Sequence, residues 1–101
     1  MGLIEKQGGK LIVHSAMTVE TATALLDQSL PLLTNGQTLE LDLSEVSDAD
    51  SSAISVMLEW LRVANSRQVQ LKYSGLPPSL LSLASLYGVL EMIPQGTGSV
   101  H

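Results

Sequence analysis

Residues 41–64, LDLSEVSDADSSAISVMLEWLRVA, constrain this chain more than any other stretch. Leu39, Leu41 and Leu43 alternate with Glu40, Asp42 and Ser44, the period-two pattern of a strand with one face inward. That strand runs into the acidic turn Asp48-Ala49-Asp50-Ser51-Ser52 and then into a helix over about 51–66. Uncapped N–H groups and the positive end of the helix dipole collect at such a turn, so carboxylates and hydroxyls are stabilised there. Two readings stay open: an ordinary N-cap, or a surface where serines at a helix start meet a partner.

The helix has a polar stripe, Ser52, Ser55, Glu59, Arg62 and Ser66, recurring at spacings of three and four. Ile54, Met57, Leu58, Leu61 and Ala64 form the expected core face, with Leu61 at its centre. Val56, Trp60 and Val63 fall on the border at 100° per residue, where they either pack under a neighbouring helix or offer apolar contact to a partner.

Around this block, residues 3–7 and 10–14 read as strands joined by Gly8-Gly9, a two-residue hairpin turn. Thr18 is a candidate N-cap for a helix over about 19–33, with Ala22, Leu25, Leu26, Ser29, Leu30 and Leu33 on one face. Pro31 bends that helix or ends it early, and Thr34-Asn35-Gly36 stops it. Residues 69–73 read as another strand, Ser74-Gly75 as a turn, and Pro77-Pro78 as the start of a third helix. Leu80, Leu83, Ala84 and Tyr87 are expected to face inward, Gly88 to cap the end, and residues 95–101 to form a frayed tail after a domain spanning 1–94. The order β-β-α-β-α-β-α predicts an α/β fold, a small mixed sheet covered by helices.

At 101 residues a single domain is expected, and with three aromatic residues in all the core is predicted to be aliphatic. No cysteine is present, which excludes disulfides, Cys-ligated zinc and thiol catalysis. Net charge is −5, and Glu40, Asp42, Glu45, Asp48 and Asp50 fall in a stretch free of Lys and Arg. Such a field repels nucleic acid and anionic lipid; it is either a solvated acidic loop or a steering patch for a basic partner. No apolar run approaches the roughly 20 residues that cross a bilayer, and the N-terminus lacks the layout of a secretion signal. Direct membrane insertion is not expected.

Candidate chemistry is sparse. His14 and His101 are the only histidines, neither is paired with carboxylates at metal spacing, and the glycines form no phosphate-binding fingerprint. Ser51, His14 and Asp50 could be written down as a triad, but any chain holding those residues allows it. No enzyme, cofactor or metal is expected.

The motif Asp50-Ser51-Ser52-Ala53-Ile54 resembles that of the STAS family, the sulfate-transporter and anti-sigma-factor-antagonist domains. Their central motif is Asp-Ser/Thr-Ser/Thr/Gly-Gly/Ala-hydrophobic. The segment Leu83-Ala84-Ser85-Leu86-Tyr87-Gly88-Val89, with Ile93-Pro94 beyond it, is similar to the MlaB-type branch. Ser52 and Ala53 stand where many relatives have glycine, which implies a stiffer turn. The resemblance implies a cytoplasmic accessory subunit, peripheral to the inner membrane. It would bind and regulate the ATPase (an MlaF-like subunit) of a phospholipid-transporting ABC complex that also holds a permease and lipid-binding subunits. Such complexes serve outer-membrane lipid asymmetry. Partner binding then falls to Asp50, Ser51, Ser52, Ser55, Val56, Glu59, Trp60 and Val63. The alternative it implies is an anti-sigma-factor antagonist controlled by phosphorylation at Ser51; a ligand-binding or scaffolding module is a third.

Overall fold

The computed structural model describes residues 2–88. The opening hairpin pairs β1 (Ile4–Gln7) with β2 (Lys10–Val13) antiparallel, and Gly8 takes the positive φ of 59° that the turn needs. From β2 the chain crosses through α1 (Ala22–Ser29) and a 3-10 turn (Leu30–Leu32) to β3 (Thr38–Asp42). It then crosses through α2 (Ser51–Ser66) to β4 (Gln70–Ser74) and ends in α3 (Pro78–Leu86). Sheet order is β1-β2-β3-β4, with β2, β3 and β4 mutually parallel. Both crossovers step in the same direction, so with the usual hand α1 and α2 share one face of the sheet. They pack on each other there, and α3 packs against α2.

Strand β3 alternates as expected, and β2 and β4 do the same. Leu11, Val13, Leu39, Leu41, Leu71 and Tyr73 are buried beneath the helices. Lys10, Glu40 and Lys72 lie side by side on the opposite face in alternating sign. The core is not purely aliphatic, however. Trp60 and Tyr73 are its largest fully buried side chains, their rings tilted with centroids 6.2 Å apart. Each polar tip is satisfied: Trp60 Nε1 donates to Ser29 Oγ at 2.6 Å and the Tyr73 hydroxyl to the Met57 carbonyl at 2.6 Å. Burial pushes the Tyr73 phenol well above its ordinary pKa.

Helix α1 departs most from expectation. It starts at Ala22 with Thr21 as N-cap, not at Val19 with Thr18. Thr21 Oγ1 accepts from the Thr18 N–H (3.0 Å) and donates to the Ala16 carbonyl (2.7 Å), holding residues 18–21 as a separate turn. Near Pro31 the α-helix gives way to the 3-10 turn, the early end predicted for it. Arg67 Nη1 closes that end by donating to the carbonyls of Leu30 and Leu33.

Helix α2 has the predicted bounds, but its buried arc is rotated and wider. Ala53, Met57, Trp60 and Ala64 form the centre, while Leu58 and Leu61 are only half-buried on one flank. A helix lying on a sheet alone buries one stripe; α2 also has α1 and α3 on its sides, so the arc widens to about 180° at 100° per residue. Its C-terminus is a Schellman cap: the Val69 N–H reaches the Ala64 carbonyl (2.8 Å), and the Gln68 N–H reaches Asn65 (3.3 Å). Gln68 occupies the left-handed position with φ 57°. On α3, Leu80 and Ala84 are buried, but Tyr87 is 55% exposed, contrary to its inward assignment: it follows the last helical residue. Gly88, at φ 69°, sits in the expected capping position. Ile93-Pro94 and the tail 95–101 lie outside the described residues.

Candidate functional site

Three parallel strands deliver their C-terminal ends to one edge of the sheet, where the β2–α1 and β3–α2 connections run side by side. An isolated bridge joins them: the Met17 N–H donates to the Asp48 carbonyl (2.8 Å) and the Asp50 N–H to the Met17 carbonyl (3.2 Å). Asp50 completes the joint. As N-cap of α2, in an extended conformation, its Oδ1 accepts from the Ser52 N–H at 2.8 Å. Its Oδ2 accepts from the Val19 N–H at 3.1 Å, across to the other connection. These backbone donors, Val19 first and then Ser52, hold the Asp50 carboxyl below the usual carboxylate range. The ordinary N-cap reading is therefore correct for Asp50, and the same carboxylate also ties two loops into one surface.

Ser51 is the first residue of α2 and exposed; its hydroxyl enters none of the side-chain hydrogen bonds among the described residues. Ser52 is half-buried. Ser55, one turn on from Ser51, is exposed, and Glu59 follows it, gripping Arg62 through two contacts of 2.9 and 2.6 Å. That pair lowers the Glu59 carboxyl's pKa and raises that of the guanidinium. Ser51, Ser55, Glu59 and Arg62 thus form one accessible ridge descending from the turn.

Val56, Trp60 and Val63 do not belong to that ridge. They are 1%, 0% and 6% exposed, and Trp60 is bonded to Ser29 of α1. Their border position turns them under α1, so they are core residues rather than partner contacts. The residue that sequence reasoning missed is Val19. It is 72% exposed, beside Asp50, on the turn held by Thr21. Its only signal was the Thr18-x-x-Thr21 spacing, which marks a local turn as readily as a helix start.

Apart from Arg62, which is paired with Glu59, the charged residues in the sequence around the turn are acidic. None of the chain's five Lys and Arg residues lies between Leu11 and Leu61, a span that holds Glu20, Glu45, Asp48, Asp50 and Glu59. His14 does not approach the serine turn as a catalytic base: its ring nitrogens contact Glu5 and Glu45, each at 2.8 Å. The Ser51–His14–Asp50 triad is not assembled. Among the described residues, no group of three His, Cys, Asp or Glu side chains is placed to hold a metal, and no helix is long and apolar enough to cross a membrane. A groove of about 330 Å³ lies by the opposite end of α2, lined by Leu61, Ala64, Asn65, Val69, Gln70, Leu71 and Lys72.

The family described as "Mlab, STAS domain" matches residues 4–94. Solved structures agree on the fold. A STAS domain protein from Planctomyces limnophilus superposes with a TM-score of 0.73 at 12% identity, covering 91% of this chain and 86% of that one. The anti-sigma factor antagonist SpoIIAA, in its unphosphorylated form, gives 0.65 at 11% identity, with coverage of 96% and 87%. The murine anion transporter Slc26a9 gives 0.70 at 20% identity, but the match covers 88% of this chain and only 15% of the transporter. No curated protein matches by sequence.

Proposed function

The chain belongs to the MlaB-type STAS family, and on that premise we propose that it is a non-enzymatic accessory subunit acting by protein–protein contact. Its partner is the ATPase of a phospholipid-transporting ABC complex. The subunit sits on the cytoplasmic side, held at the inner membrane through that partner, and adjusts the ATPase without inserting into lipid. The observation that carries this reading is the two-loop surface at the start of α2. Val19, Ser51 and Ser55 are exposed on a backbone that Asp50 and the Met17–Ala49 bridge hold in place. A pre-ordered patch loses little conformational freedom on binding, which favours affinity. An acidic rim around one apolar residue suits a partner that presents basic groups around an apolar pocket.

The test is to express the chain with the ATPase of its complex and compare wild type with Ser51→Glu. At the first position of α2 the new carboxylate is tolerated by the helix dipole, so the fold survives. It stands beside Asp48 and Asp50, and a partner closing over the turn must bury it. The expected outcome is an unchanged melting curve with loss of co-purification and of any change in ATP hydrolysis that wild type causes. Full co-purification of Ser51→Glu, with unaltered ATPase activity, removes the turn from the binding surface.

A second reading is favoured by one feature. The outward, unbonded Ser51 hydroxyl at a helix N-terminus is a suitable phosphoacceptor, as an anti-sigma-factor antagonist under serine-kinase control requires. A gain of one phosphate mass at Ser51 in protein isolated from cells, with no ATPase in the pull-down, would put this reading first.

A further inference from the structure

His14 follows β2 directly, and its N–H donates to the Leu3 carbonyl at 2.8 Å, so the hairpin fixes where the residue stands. Its imidazole lies between two carboxylates from different parts of the chain. Nε2 is 2.8 Å from Glu5 Oε1 on β1, and Nδ1 is 2.8 Å from Glu45 Oε1 in the connection that leads to the serine turn. An ionised carboxylate only accepts hydrogen bonds, and a neutral imidazole has only one N–H to give. Both contacts hold together only when both ring nitrogens carry protons. We propose that His14 is a proton-operated clamp, joining the hairpin to the β3–α2 connection as imidazolium and releasing that connection when neutral.

The geometry also says which contact yields. Glu5 is set on a strand and takes a further bond from Gln7 Nε2 at 2.7 Å. Glu45 is exposed, on a connection rather than a strand, with no other side-chain hydrogen bond among the described residues. A neutral ring therefore keeps its one proton toward Glu5 and turns a lone pair on Glu45, which swings away. On the adjoining part of this sheet face, Asp42 is engaged elsewhere, bonded to the Ser44 N–H and hydroxyl and 3.7 Å from Lys10. Glu5 and Glu45 are thus the charged groups that face the ring.

The hydrogen bonds of Glu5 and then Glu45 hold the imidazolium above the ordinary histidine value of about 6.5. Because the folded value is the raised one, the clamp's contribution is fully present below about pH 6.5 and is lost as pH rises through the folded value. All three side chains are partly open to water, so the clamp answers bulk pH directly and weakens with salt.

The test is an NMR titration of the intact chain, with the His14 signal assigned by its loss in His14→Gln. Below the transition the expected pattern is an imidazole protonated on both nitrogens, with a midpoint above that of an unstructured histidine. Glu45→Gln and Glu5→Gln should each lower the midpoint, and as surface changes they leave the fold intact. Amide-exchange protection at Ser44 and Val46, whose N–H groups donate to Asp42 Oδ1 at the end of β3 and to the Leu43 carbonyl, should fall several-fold through the same pH interval in wild type. The fall should be absent in His14→Gln. A midpoint at or below the unstructured value, or protection at Ser44 and Val46 that tracks pH equally in His14→Gln, overturns the clamp. Neither readout involves the ATPase, so this proposal stands or falls apart from the function proposed above.

Discussion

Removing the hydroxyl of Ser29 tests whether Trp60 belongs to the core. The indole N–H donates to Ser29 Oγ at 2.6 Å where both residues are fully buried, so no water replaces the lost acceptor. Stranding a buried donor costs about 1–3 kcal/mol, and Ser29→Ala should fall near the middle, about 2 kcal/mol. For a domain of this size each kcal/mol moves Tm by roughly 4–8 °C, so the expected drop is about 8–16 °C. A domain of ordinary stability, about 5–15 kcal/mol, remains folded after that loss. The control is Trp60→Phe, which keeps a ring but deletes the donor. In that background Ser29→Ala should cost under about 0.5 kcal/mol, since removing both partners of a buried bond leaves nothing unsatisfied. Urea unfolding followed by far-UV circular dichroism measures all four proteins, because the single tryptophan is lost in two of them. If Ser29→Ala costs the same in both backgrounds, or nothing in the parent, the indole is not bonded there.

Two backbone positions give further expectations. Gln68 holds the left-handed site of the α2 Schellman cap, which glycine fills without steric penalty, so Gln68→Gly should stabilise the chain by about 1 kcal/mol, read as a raised urea midpoint at constant slope. Gly75 has φ 67°, and an added Cβ would stand 2.8 Å from Ser44 Cβ and 3.1 Å from Asp42 Oδ1. Gly75→Ala should therefore cost more than the roughly 1 kcal/mol of an unfavourable φ alone; a melting curve matching the parent would refute that close approach.

Much of this architecture was legible because period and punctuation agree. The hydrophobic alternation of β3, the Asp-Ser-Ser entry to α2 and the diglycine hairpin each combine a pattern with a boundary residue. Where the reading failed, the missing information was tertiary. At 100° per residue, Val56, Trp60 and Val63 sit at an edge, and nothing local says that α1 will cover that edge while Leu58 and Leu61 stay half-open. Thr18 and Thr21 are equivalent as caps in sequence; contact with Ala16 and the bridge from Met17 to Ala49 decides between them. For the candidate site, Asp50, Ser51 and Ser55 were readable from local chemistry. Val19 was not, because it reaches the turn through a backbone N–H that any residue possesses.

That single N–H bond from Val19 to Asp50 bears on the kinetics of recognition. Two connections that could move independently are joined by one carboxylate and a pair of main-chain bonds, so an arriving partner meets a finished surface. Association should then follow one exponential whose rate rises linearly with partner concentration, without the plateau that a prior loop rearrangement imposes. Differences in affinity among variants of the exposed ridge should appear as changes in residence time.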